Sequence, residues 1–184
     1  MGYILNGIDM VEKIENDMKS WLSEEGYNIG LLEKNNFWDF ETKEKYDVVC
    51  SFGFLEHFID WESVIIKKYL LLKNNGYLVI FVPNFTGIVQ RLLHFFLDYK
   101  NYCRHNVKSM NPNKWIKCLD KQKYKIIYKG YFGRFDFWVD NQKRNIIQKY
   151  FLKTIEKMKN ILSNLPDCKL YSPYCGLIIK LSNG

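Results

Sequence analysis

Several features are missing from this 184-residue chain, and each absence removes a class of protein. Its five cysteines, Cys50, Cys103, Cys118, Cys168 and Cys175, include no CxxC pair and no His-rich companion segment. Neither a zinc site nor a disulfide framework is suggested, and a reducing, cytoplasmic setting is expected. No window approaches the roughly 18 consecutive apolar residues that a membrane span requires. No basic, then apolar, then small-residue leader opens the chain, so it reads as soluble. Internal repeats, low-complexity tracts and Pro/Gly/Ser linkers are all missing, which predicts one domain over residues 1–184. No G-x-G-x-x-G opens a βαβ unit, which argues against a nicotinamide dehydrogenase.

Hydrophobic residues make up 47% of the chain, enough for a buried core without staples. The 27 Lys and Arg against 20 Asp and Glu give a formal charge of +7. Such a balance favours nucleic acid, anionic lipid or an anionic substrate, and aromatics interleave with basic residues at Lys123–Lys125 and Tyr128–Phe135. The lysines are nevertheless spread along the whole chain and concentrate on no segment. Nucleic acid is therefore not the expected partner, although a nucleic-acid-binding protein stays open as an alternative.

Short β-prone runs alternate with helical patterns. Strands are predicted at Tyr3–Ile8, Tyr27–Leu32, Tyr46–Phe52 and Tyr77–Val82, the third as a parallel strand buried on both faces. Helical spacing covers Met10–Glu25 and about Asp60–Leu72, and Asn74-Asn75-Gly76 supplies a turn before the fourth strand. Beyond Pro83, helices are predicted at Gly87–Tyr99, at Pro112–Leu119 with proline in the first turn, and at Lys143–Leu162. Lys125–Tyr131 and Tyr174–Leu181 read as a late antiparallel hairpin at the sheet edge. The alternation implies a three-layer α/β/α sandwich with a mostly parallel sheet.

The stretch Tyr46–Asn84, YDVVCSFGFLEHFIDWESVIIKKYLLLKNNGYLVIFVPN, carries Leu55-Glu56-His57, Asp60, Lys73 and Gly76 in an ordered series. It resembles the fourth strand, following helix and fifth strand of class I S-adenosylmethionine-dependent methyltransferases. Gly7–Met10 is similar to the end of that family's second strand, Asn36–Phe40 to the loop after its third, and the C-terminal half to its last helices and closing hairpin. The resemblance implies a Rossmann-like domain, S-adenosylmethionine as cofactor, and an acceptor pocket or lid at about residues 85–120. It also implies a central first strand with a Gly-rich turn, where backbone approaches the cofactor. This chain carries no such segment, so an N-terminally incomplete, truncated domain is expected, with weak or no cofactor binding and self-association through exposed sheet edges.

By the same resemblance, Asp9 accepts the ribose hydroxyls, with Met10 beside it; the competing reading is that Asp9 caps the next helix. Asn36 takes the position of an adenine acceptor and Phe37 covers the ring, or the two are a turn and a core plug. Ser51, Gly53 and Phe54 lie where backbone approaches the methionine part of the cofactor. His57 and His105 are the candidate general bases, each with an ordinary bracing role as alternative, and His105 also faces the acceptor region. Asn84, after the fifth strand, is assigned to the acceptor pocket. His94, amid LLHFF, reads as a core residue. No metal site is expected. Methyl transfer to a small-molecule or sugar-type acceptor is the implied activity; the alternative is a non-catalytic module of the same fold that binds a partner.

Overall fold

In the computed structural model, which describes residues 2–162 and 164–182, the first ladder is parallel. β1 (Ile4–Asp9) pairs with β2 (Asn28–Lys34), connected through a 3-10 turn at Glu12–Ile14 and α1 (Asp17–Glu24). These elements belong to one compact unit, Met1–Glu44; Lys45–Gly184 form another. Asn6 sets the pairing in the first unit, because its Oδ1 accepts from the Leu31 N–H at 2.8 Å. Residue 30 must then be glycine, since a Cβ there would come within 2.3 Å of the same oxygen. The single helix expected over Met10–Glu25 is interrupted. Glu15 accepts from the Lys34 N–H at 3.0 Å and Glu12 pairs with the Lys34 ammonium at 3.1 Å, tying the first turn to the end of β2.

The second unit opens with a parallel βαβ formed by β3 (Tyr46–Phe52), α2 (Trp61–Leu70) and β4 (Leu72–Pro83). Asp60 caps α2 by accepting from the Ser63 N–H at 3.3 Å. The expected Asn74–Gly76 turn lies inside β4 as a bulge. Tyr46 pairs with Leu72 but Val48 with Tyr77, and the extra residues are absorbed with Asn75 at φ 62°. There follow α3 (Ile88–Leu97), α4 (Tyr99–Cys103), α5 (Pro112–Trp115), β5 (Tyr124–Phe132), α6 (Ile146–Leu162) and β6 (Tyr174–Leu181). β6 enters antiparallel between β4 and β5, giving the order β3-β4-β6-β5.

Alternation along the two central strands builds the core. Leu78, Ile80 and Val82 of β4 lie opposite Ile179, Leu177 and Cys175 of β6, and all six are buried. Val64 and Ile65 of α2, with Met110 and Trp115, are buried too. A second cluster gathers Leu97, Phe135 and Phe137 with Leu93 of α3 and Leu152 and Ile155 of α6. No helix among the described residues is long and apolar enough to cross a membrane.

The mixed α/β, Rossmann-like class is the one expected, but the placement of the parallel strands is not. They divide between a two-stranded and a four-stranded sheet, and among the described residues β3 is an edge strand whose one neighbour is β4. It is not buried on both faces: Phe52 at its end is 62% exposed. An apolar, β-prone run records that a strand favours burial; it does not record how many neighbours flank it.

Asn84 has a structural position. Fully buried, it donates to the carbonyls of Lys169 and Ser172 at 2.9 Å each and accepts from Thr86 Oγ1 at 2.7 Å and the Gly87 N–H at 3.1 Å. Those bonds join the end of β4 to the segment entering β6. Asn84→Ala leaves buried donors and acceptors unpaired and is expected to lower the unfolding free energy by about 2–4 kcal/mol, read from urea denaturation.

Candidate functional site

A cleft of about 610 Å³ opens where β3 and β4 end, walled by Phe52 at the end of β3, Gly53 after it, and Phe81, Val82 and Pro83 of β4. Open α/β sheets bind ligands at the carboxyl ends of their parallel strands. Gly53 sits at φ +60°, a conformation that favours glycine and lets the chain turn sharply out of β3. The floor is aromatic: Phe52 lies 5.6 Å from Phe81, Phe81 4.9 Å from Phe132, and Phe132 5.5 Å from Tyr174 between ring centroids. Gly176 makes room for this row, since a Cβ there would fall 2.2 Å from the Phe81 ring. Asn101, Arg104, His105, Trp138 and Asp140 complete the wall. Arg104 pairs with Asp140 and donates to Asn101 Oδ1 at 3.0 Å.

The turn Leu55–His57 carries the titratable groups. Glu56 is 1% exposed, and burial raises its carboxyl to about 7. His57 is exposed beside it, with its ring 4.9 Å from that of His105. His105 Nδ1 lies 2.6 Å from the Asn101 carbonyl, and burial lowers the pKa of its imidazole. Asn106 clasps the two segments, donating its N–H to the Glu56 carbonyl at 2.7 Å and its side-chain amide to the Phe58 carbonyl at 2.8 Å.

Of the residues singled out from sequence, the cleft brings together Gly53, His57 and His105. Ser51 is not in the lining; it is buried, with a hydroxyl that meets no hydrogen-bond partner among the described residues. Phe54 does not line the cleft; it packs 4.7 Å from Phe58, with the Lys68 ammonium 4.3 Å above its ring. Asn84 lies outside the lining, engaged as described. Asp9, Met10, Asn36 and Phe37 belong to the first unit. There Asp9 accepts from the Val11 N–H at 3.0 Å in a local turn, capping neither the 3-10 turn at Glu12–Ile14 nor α1, and Met10 is exposed. Asn36 accepts from the Trp38 N–H at 3.0 Å, and Phe37 is buried edge-on to Trp38 at 5.3 Å.

Glu56, Arg104, Trp138 and Asp140 were not among the residues assigned roles from sequence. Glu56 carried a signal, its place inside Leu-Glu-His; the other three reach the wall only through tertiary packing.

No family model and no curated protein matches the sequence. Solved structures do. An S-adenosylmethionine-dependent methyltransferase from Archaeoglobus fulgidus is 20% identical, with a TM-score of 0.54 over 97% of this chain and 75% of that one. The chain has the fold of class I methyltransferases. The YcgJ protein of Bacillus subtilis shares that fold at 14% identity and a TM-score of 0.58, over 98% of this chain and 82% of its own. The N-methyltransferase NodS of Bradyrhizobium japonicum WM9, in complex with S-adenosyl-L-homocysteine, does so at 11% and 0.52, over 96% and 65%. β5 and β6 pair antiparallel, as the late hairpin expected from the sequence.

His94 is a core residue of this fold. It is fully buried 4.1 Å from the Phe85 ring, and burial lowers its imidazole to about 4 despite the Asp98 carboxylate 3.6 Å away. The native state therefore holds the ring neutral, while the unfolded chain protonates it near pH 6.5. That stabilisation is complete above pH 6.5 and lost as pH falls towards 4. Unfolding free energy is expected to drop by roughly 3 kcal/mol across that window from this group alone. His94→Gln should flatten the slope in denaturation curves recorded over the same range.

Proposed function

We propose that this chain transfers a methyl group from S-adenosylmethionine to a small-molecule or sugar-type acceptor held in the cleft of its second unit. The observation that carries the reading is the cleft's place at the carboxyl ends of β3 and β4, with Gly53 at its mouth. Gly53 there suits the cofactor's methionine part, since it gives close backbone approach. The cofactor supplies an activated methyl on a sulfonium, so the protein's work is alignment, exclusion of water and removal of one proton. As the acceptor atom bonds to the methyl carbon, the carbon–sulfur bond breaks. The acceptor's proton passes to His57 or His105, both on the cleft wall.

The grip on the cofactor is weak in this reading, because no Gly-rich turn in the chain faces its carboxylate end. Isothermal calorimetry with S-adenosylmethionine should give either no heat or a dissociation constant well above the low-micromolar range. Any saturable binding should disappear in Gly53→Leu. A low-micromolar constant would show that other backbone replaces the Gly-rich turn; binding untouched by Gly53→Leu would place the cofactor elsewhere.

The terminal place of β3 in its sheet among the described residues, with Val48 and Phe52 exposed, supports self-association as part of the same reading. Light scattering is expected to show a mass that rises with protein concentration. A monodisperse monomer at all concentrations would count against it.

A further inference from the structure

One group in the cleft is explained neither by the core nor by methyl transfer: the Glu56 carboxylate. It is almost fully buried, yet its Oε2 meets no hydrogen-bond donor among the described residues. Buried carboxylate oxygens are costly in that state and ordinarily find donors or a cation. The atoms around it are ligands. One donor atom from each of Glu56, His57 and His105 lies within 4.8 Å of the other two.

The surroundings suit coordination. The contact between His105 Nδ1 and the Asn101 carbonyl places the ring proton on Nδ1 and leaves Nε2 with its lone pair, the arrangement that a ligating imidazole adopts. Asn106 holds the His105 segment against the turn that carries Glu56 and His57, with one backbone and one side-chain hydrogen bond. The exposed His57 ring has room to close on an ion.

We propose that Glu56, His57 and His105 form a binding site for a divalent transition-metal ion. Two imidazoles and one carboxylate match Zn²⁺, Fe²⁺ or Co²⁺, whereas Mg²⁺ and Ca²⁺ prefer all-oxygen sets. Three protein ligands leave coordination positions open towards the cleft. With the ion bound, both rings are ligands and not bases, so an acceptor hydroxyl bound there would be acidified by the ion and lose its proton to solvent, in place of the transfer to His57 or His105. That use of the ion rests on the proposed methyl transfer; the binding itself does not.

The test is titration of the full chain with Co²⁺ in the absence of cofactor and acceptor, followed by visible absorption. One equivalent should produce d–d bands that Zn²⁺ abolishes and excess Mg²⁺ leaves unchanged. His57→Ala, at an exposed position, and Glu56→Gln should each weaken binding by about tenfold or more, with circular dichroism confirming that both variants fold. The absence of d–d bands overturns the proposal. So does binding that survives the substitutions, or thiolate charge-transfer bands that place the ion on cysteine. Because the readout needs no methyl transfer, its outcome is independent of the result with S-adenosylmethionine.

Discussion

Everything in the second unit hangs on the ladder between β4 and β6. Leu78, Ile80 and Val82 face Ile179, Leu177 and Cys175 with almost no access to water. Each such aliphatic side chain contributes about 1.5–3 kcal/mol by leaving solvent, so these pairs outweigh any polar contact nearby. The antiparallel strand also fixes where the parallel one ends. Asn84 anchors the end of β4 to the carbonyls of Lys169 and Ser172, which lead into β6. The mouth of the cleft is therefore positioned by the core and not by the loops around it.

The polar half of the cleft is assembled from segments far apart in sequence. Glu56 and His57 arrive on a single turn after β3, while His105 and Asn106 follow α4. Asn106 carries the junction with one backbone and one side-chain hydrogen bond. Burial then does the electrostatic work, bringing a carboxyl near neutrality and depressing the imidazole of His105. Perturbed groups gathered in one cleft are what a functional site requires, and here they lie at the end of the sheet where the fold binds ligands.

Much of this was legible in the sequence. Tyr46–Phe52 and Tyr174–Leu181 form strands with the bounds read from their β-prone runs, and Pro112 opens its helix as proline at a first turn should. Gly53, His57 and His105 were singled out through the resemblance to methyltransferases, His105 also from its place in a polar break between apolar helices. What was not legible depends on neighbours distant along the chain. The edge position of β3 is a property of the sheet. The side-chain amide of Asn84 donates to carbonyls 85 and 88 residues away, which no local pattern announces. Arg104 and Asp140 meet only after the chain between them has folded.

The aromatic row on the floor of the cleft draws one ring from each strand of the four-stranded sheet: Phe52 from β3, Phe81 from β4, Tyr174 from β6 and Phe132 from β5. Phe52 is aligned with Phe81, and Phe132 with Tyr174, while Phe81 fills the space left by the missing Cβ of Gly176 on β6. Since successive side chains point to opposite faces, a slip of any strand by one residue would send its ring to the other side of the sheet. It would break the row at that point and set a Cβ-bearing residue against Phe81 if β6 were the strand that moved. The alignment of the four strands and the surface presented to a ligand are thus one specification, and a chain that paired its strands wrongly would have no floor on which to bind anything.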